Sequence, residues 1–177
     1  KGIRVLDVGL HGPAPTTMHD IDGDGKMEVI VTTLAGSDGK GRAIAYNHKG
    51  DQVWNVPVGA GAVWRGTVVA EVDGKPGVEF LIQPEDECAL VTLEPATGNE
   101  LWRISLAEYN TAERKYATSS ATVVADFDGD GKNDVFFTAG GDLENLFGLA
   151  VCFKGDGTGQ TWTTFHGDLR HHNRAPK

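Results

Sequence analysis

Cysteine, long apolar runs and basic residues are all scarce in this chain of 177 residues. The two cysteines, Cys88 and Cys152, allow one disulfide, but their spacing does not require it, so a bridge and two buried thiols remain equal alternatives. No apolar run reaches the roughly 18 residues that span a bilayer, which predicts a chain that does not insert into membranes. The formal net charge of -9 disfavours contact with nucleic acid phosphates or anionic membranes.

Catalytic motifs are also missing. The sequence contains no Gly-x-Ser-x-Gly elbow, no phosphate-binding glycine loop and no cysteine-based metal motif. His19 precedes an acidic loop and is predicted to be structural, whereas His166, His171 and His172 are predicted to be solvated or interfacial rather than ligands of a transition metal. We therefore expect no catalytic residues and no enzymatic activity of the chain's own.

Glycine is plentiful, with 24 residues, and predicts frequent turns between short strands. One unit recurs at 16–31, 66–81 and 121–136, with offsets of 51 (22 to 73) and 55 (73 to 128). Each copy continues through an apolar run, a glycine-containing turn and a strand with a tryptophan, so each unit has four strand-like segments. The apolar runs are 43–46, 89–93 and 149–153, and the tryptophans are Trp54, Trp102 and Trp162.

These short strands predict an all-β, β-propeller-like fold with three four-stranded antiparallel blades and a surplus N-terminal strand. Within a single repeat domain, 1–177, the predicted parts are a blade remnant at 1–9, blade one at 14–59, blade two at 64–107, blade three at 118–165 and a C-terminal cap at 166–177. A propeller closes with about four to eight blades. We therefore expect a second copy, in a homo-oligomer or filament, or further blades of a longer polypeptide to cover the open strand edges.

Two acidic loops, 20–28 and 126–134, carry the clearest chemical signal. Each places carboxylates at loop positions 1, 3, 5 and 9, and its seventh residue can offer a backbone carbonyl. Such hard oxygen ligands favour calcium, and the sequence predicts about two Ca²⁺ ions per chain. The predicted ligands are Asp20, Asp22, Asp24, Lys26 and Glu28 in the first loop and Asp126, Asp128, Asp130, Lys132 and Asp134 in the second.

The middle copy of the loop departs from this pattern. Its equivalent positions are Glu71, Asp73, Lys75 and Glu79, so an ammonium group replaces one carboxylate. We expect no calcium there, and we hypothesise that Lys75 serves as a built-in cation among the three carboxylates.

The acidic loops and their repeats, over roughly 16–165, resemble the FG-GAP and VCBS repeats of integrin α-subunit propellers and of secreted bacterial and archaeal surface proteins. This resemblance implies a calcium-stabilised β-propeller outside the cytoplasm, used for adhesion, carbohydrate contact or assembly. Segments 76–79 and 97–102 are also similar to pieces of rhamnogalacturonan lyase propellers, so a fragment of a polysaccharide lyase is the alternative function. Segment 165–174 is similar to the tail that often follows the last blade of secreted propellers.

The expected location is extracellular or at the cell surface, because calcium sites of extracellular modules are weak and fill only where calcium is abundant. The recurring tryptophans predict packing between blades. Trp64 breaks the pattern, and for it both core packing and stacking on a sugar remain open.

Overall fold

The computed structural model describes residues 12, 14–111, 113–118, 120–140 and 147–159. Over these residues the chain forms eleven β-strands and one three-residue 3-10 helix, so the expected all-β class is confirmed. The predicted blade remnant 1–9, the strand around Trp162, the C-terminal cap and the three C-terminal histidines lie outside the described residues. Nothing helical in the described part of the chain has the length and hydropathy to cross a bilayer.

The strands form three sheets. Sheet one contains β1 (Thr17–His19), β2 (Glu28–Thr32), β3 (Lys40–Tyr46) and β4 (Gln52–Ala60). Sheet two contains β5 (Val68–Ala70), β6 (Glu79–Ile82), β7 (Ala89–Leu93) and β8 (Glu100–Ser105), and the 3-10 helix (Ala107–Tyr109) follows it. Sheet three contains β9 (Val123–Ala125), β10 (Asp134–Gly140) and β11 (Gly148–Lys154).

Within each sheet, neighbouring strands are antiparallel and their spatial order follows the chain order. Each predicted apolar run coincides with the third strand of its sheet. Sheets one and two have the predicted four strands, and sheet three has three within the described residues. The described residues form no closed ring, so the arrangement of the sheets as propeller blades remains a proposal.

Sheet two is covered on both of its faces. Along its strands, successive side chains point to opposite faces, and the two hydrophobic clusters divide them accordingly. Val69 and Phe80 pack with sheet one, whereas Val68 and Leu81 pack with sheet three. This double burial explains why β5, β6 and β7 are buried at every position and why they lack polar alternation.

The β3–β4 turn shows how local sequence ends a strand. The Asn47 side-chain oxygen accepts backbone N–H bonds from Lys49 and Asp51, both at 2.9 Å. Gly50 then adopts a positive φ of 87°, which a residue without Cβ reaches at no steric cost. The Asn47 side chain is therefore committed to this turn.

Neither cysteine is in a disulfide. Cys88 is a buried thiol whose pKa is raised by desolvation, but Cys152 is exposed on β11. The bridge is therefore contradicted, and the alternative of two buried thiols holds for Cys88 alone. Burial alternates along β11, and Cys152 falls on the side of sheet three that faces away from sheet two.

Candidate metal centres

The first acidic loop connects β1 to β2 and is folded around Asp20. The carboxylate of Asp20 accepts backbone N–H bonds from Gly23 at 2.8 Å, Asp24 at 3.1 Å and Gly25 at 2.9 Å. Asp22 Oδ1 accepts another from Asp24 N–H at 3.0 Å. These short-range bonds are those expected of aspartates in tight turns, so the local sequence is sufficient to shape the loop.

The second acidic loop connects β9 to β10 and repeats this pattern. Asp126 accepts backbone N–H bonds from Gly129 at 2.6 Å, Asp130 at 3.1 Å and Gly131 at 2.9 Å. Asp128 Oδ1 accepts the N–H of Asp130 at 3.2 Å. The two loops are far apart in sequence but fold in the same way, because their predicted ligand residues have the same spacing.

Each loop brings three carboxylates together. In the first loop, oxygens of Asp20, Asp22 and Glu28 all lie within 4.8 Å of one another. In the second loop, the group with that spacing is Asp126, Asp128 and Asp130. The structure therefore gathers the first, third and ninth positions in one loop and the first, third and fifth in the other.

The carboxylate at the ninth position is buried in all three copies. Glu28, Glu79 and Asp134 are 1%, 4% and 3% exposed. One oxygen of each accepts the backbone N–H of the second loop residue, at 3.1, 2.8 and 3.0 Å respectively. This shared bond fixes the beginning of each loop against the following strand.

The second oxygen of Asp134 has no hydrogen-bond partner among the described residues. A buried carboxylate oxygen without a partner is costly, and a cation would satisfy it. The grouped side chains of both loops offer only carboxylate oxygens, which are ligands that Ca²⁺ prefers. The residues present therefore fit the metal that the sequence predicts, although Asp134 lies outside the group of three nearest carboxylates.

Ammonium groups balance part of the loop charge. Lys26 Nζ lies 2.7 Å from Asp24 Oδ2, and this hydrogen bond lowers the pKa of the Asp24 carboxyl. Asp24 is therefore drawn to Lys26 and does not join the three grouped carboxylates. In the second loop, Lys132 Nζ turns to Asp156, at 2.5 Å from its Oδ1. The roles of the Lys26 and Lys132 backbone carbonyls as ligands remain predictions.

In the middle loop, Lys75 and backbone N–H groups contact the carboxylates that correspond to predicted metal ligands in the other two loops. Lys75 Nζ lies 2.7 Å from Asp73 Oδ2, so the built-in cation contacts one carboxylate rather than three. Glu71 accepts the Gly74 N–H at 2.7 Å and also the N–H of Thr158 from the third repeat. The hypothesis about Lys75 thus holds for Asp73, whereas the Glu71 carboxylate is stabilised by hydrogen bonds from backbone N–H groups.

The recurring tryptophans lie at the junctions between neighbouring repeats. Trp54 is buried, its Nε1 donates to Pro95 O at 2.9 Å, and its ring lies 6.3 Å from that of Phe80. Trp102 in sheet two contacts the Phe153 ring of sheet three edge-on, with centroids 6.0 Å apart. The predicted packing between repeats is confirmed for both tryptophans.

Trp64 and His19 have different environments. Trp64 is exposed and its Nε1 donates to Glu85 Oε2 at 2.6 Å, so the core-packing alternative is wrong for Trp64. His19 is half-buried and meets Phe80 edge-on at 6.0 Å. Desolvation lowers the pKa of His19 despite the adjacent Asp20 carboxylate, which fits a structural role. His19 also lines a cavity of about 350 Å³ between repeats one and two.

Sequence reasoning missed the contribution of the strap that follows β11, residues 155–159. Asp156 and Gly157 donate their N–H groups to Val72 O at 2.9 and 3.3 Å, and Asn133 Nδ2 donates to Glu71 O at 2.8 Å. The Asn133 bond joins the repeat-three loop to the middle loop, and the two bonds to Val72 O join the strap to the middle loop. The three glycines of this short segment were the only signal for such close backbone contact.

No family model matches the chain, and no curated protein matches it. Among solved structures, the fold is similar to that of the V. cholerae biofilm matrix protein Bap1, with a TM-score of 0.53 and 18% sequence identity. The alignment covers 85% of this chain and 24% of that chain, so the present chain spans about a quarter of its length. At this identity the similarity supports the fold alone.

Proposed function

We propose that this chain is a calcium-stabilised structural module, in which the three sheets act as blades of an incomplete β-propeller in an extracellular or cell-surface assembly. The observation that carries the proposal is the pair of acidic loops with one hydrogen-bond pattern and three close carboxylates each. In this proposal one Ca²⁺ binds each loop and neutralises charge that would otherwise strain the β1–β2 and β9–β10 connections.

Several features favour calcium over other ions. The grouped side chains contain no thiolate or imidazole, which disfavours zinc and copper. A magnesium site demands a stricter octahedron and usually keeps several waters, whereas calcium accepts flexible loops with many carboxylates. Extracellular calcium modules bind with dissociation constants of about 0.1–1 mM. Sites of this affinity would fill only where calcium is near millimolar, and for this reason we propose a location outside the cytoplasm.

The exposed side of sheet three supports the proposed assembly. Sheet two is sealed on both faces, but sheet three exposes alternate residues of β11, and Phe127 beside it is 51% exposed. Exposed strands and apolar residues favour pairing with further sheets. We propose that additional blades or a second copy of the chain provides this cover. The matrix role in the name of the similar biofilm protein is compatible with such an assembly, and a carbohydrate or cell-surface ligand remains part of the proposal.

Thermal unfolding in calcium and in chelator tests the proposal. With dissociation constants near 0.2 mM, 2 mM Ca²⁺ would stabilise the fold by about 1.4 kcal/mol per site, which corresponds to a rise in Tm of roughly 5–10 °C for two sites. Asp22→Asn/Asp128→Asn should lose this rise, and the matched control Glu108→Gln/Glu113→Gln should keep it. Equal Tm values in calcium and chelator for the unsubstituted protein would refute calcium binding.

The enzyme alternative needs a separate assay. A polysaccharide lyase leaves an unsaturated uronide product, which absorbs in the ultraviolet when pectin fragments are cleaved. We expect no such absorbance, together with calcium-dependent oligomers in size-exclusion chromatography. Turnover of pectin fragments at a rate above that of the heat-denatured protein would replace the structural role with the lyase role.

A further inference from the structure

In the repeat-three loop, Lys154 places an ammonium group on two of the three grouped carboxylates, and within the described residues no ammonium group does so in the repeat-one loop. Lys154 stands at the end of β11, directly opposite Asp134 in the β10–β11 register. Its Nζ contacts Asp128 Oδ2 and lies 3.4 Å from Asp130 Oδ2. Two of the three grouped carboxylates of this loop are therefore already paired with a cation from the protein.

The register identifies the equivalent position in repeat one. Val29 pairs with Tyr46 there, so the residue opposite Glu28 is Asn47. Asn47 is uncharged, and its side-chain oxygen is committed to the β3–β4 turn. No residue of repeat one thus supplies a cation from the position that Lys154 occupies in repeat three.

The lysine within the first loop does not remove this difference between the two loops. Lys26 in repeat one pairs with Asp24, which lies outside the group formed by Asp20, Asp22 and Glu28. Within the described residues, no lysine or arginine lies within ion-pair distance of that group. Among the described residues, an incoming Ca²⁺ meets three carboxylates without an ion-pair partner in the first loop, whereas in the second it must displace Lys154.

We propose that Lys154 acts as an internal competitor that makes the repeat-three loop the weaker calcium site, so that the repeat-one loop fills first. This inference rests on the proposed function, since it assumes that both loops bind calcium. The Lys154 side chain is 67% exposed, and the two aspartates are 41% and 40% exposed. Because solvent screens such pairs, the expected effect is modest, roughly a three- to tenfold difference in affinity.

Calcium titration calorimetry on single-site backgrounds tests this assignment. Asp22→Asn leaves the repeat-three loop as the only intact one, and Asp128→Asn leaves the repeat-one loop. Lys154→Gln should tighten calcium binding roughly three- to tenfold in the Asp22→Asn background and should leave it within about twofold in the Asp128→Asn background. Lys154→Arg keeps the charge and should retain the weak affinity. Lys115→Gln is the matched control, because Lys115 has no ion pair within the described residues.

The outcomes separate the two proposals. Two ions per unsubstituted chain, with tighter binding in Lys154→Gln on the Asp22→Asn background, support the inference. Two ions per chain with equal affinities, unchanged by Lys154→Gln, overturn the inference and leave the proposed function intact. No calcium binding by the unsubstituted chain or by Lys154→Gln overturns both.

Discussion

Glu79 lies in the middle repeat, whose loop is not expected to bind calcium. It provides a test of how a buried carboxylate in that loop affects stability. Glu79 is only 4% exposed, and burial raises the pKa of its carboxyl from 4.5 to about 7, with the nearby charge of Asp73 adding to the rise and the Val72 N–H opposing it. In Glu79→Gln the amide oxygen can accept the same N–H bond, and the group never becomes charged. The substitution therefore mimics the protonated glutamic acid.

The sign of the effect follows from proton binding. Between pH 4.5 and pH 7 the folded protein keeps a proton on Glu79 that the unfolded chain releases. The free energy of unfolding therefore falls as pH rises through this window and levels off above it. The difference between a pKa of 4.5 and a pKa of about 7, at about 1.36 kcal/mol per pH unit, gives a loss on the order of 2–4 kcal/mol by pH 8.

Urea unfolding followed by tryptophan fluorescence, in chelator and from pH 5 to pH 8.5, measures this loss. Glu79→Gln should lie within about 1 kcal/mol of the unsubstituted protein near pH 5 and exceed its unfolding free energy by about 2–4 kcal/mol at pH 8. Glu108→Gln, at an exposed site, should parallel the unsubstituted protein. A stability difference that does not change with pH would refute the reasoning.

Two further substitutions test the repeat junctions. Trp54→Phe removes the 2.9 Å bond to Pro95 O but keeps an aromatic ring, so urea unfolding should show a loss of about 1 kcal/mol; an unchanged midpoint would contradict a role for that bond. Gly157→Ala would place a Cβ 2.1 Å from Glu71 O, and we expect a loss of about 2–3 kcal/mol or failure to fold. Gly148→Ala, whose Cβ would lie 3.4 Å from the nearest backbone atom, should change stability by less than about 1 kcal/mol; equal effects of the two alanines would argue against the close contact.

The asymmetry between the loops bears on how such a module would respond to calcium. The middle loop and the repeat-three loop are joined by backbone bonds through the strap 155–159, including two donors to Val72 O. Lys154 immediately precedes this strap and holds Asp128 and Asp130. If calcium displaces Lys154, the change occurs beside the junction of repeats two and three, which these hydrogen bonds connect.

The sequence alone determined the local features of this protein. Strand positions follow from short apolar runs between turn residues, and loop shapes follow from aspartates that bond backbone N–H groups two to five residues away. Interactions of this range need no tertiary structure. For that reason the repeats, the all-β class and the two acidic loops could be predicted from the residues in order.

Only the tertiary structure decided how these local units meet. Stacking of the sheets buried sheet two on both faces, left Cys152 exposed and brought Thr158 to Glu71, which are 87 residues apart. The β10–β11 register placed Lys154 on carboxylates that lie 24 and 26 positions earlier in the chain. Such contacts depend on strand register and sheet packing, because a shift of one residue turns each side chain to the opposite face. The acidic loops could therefore be predicted from the sequence, whereas the contact of Lys154 with the carboxylates of only one of them depends on the fold.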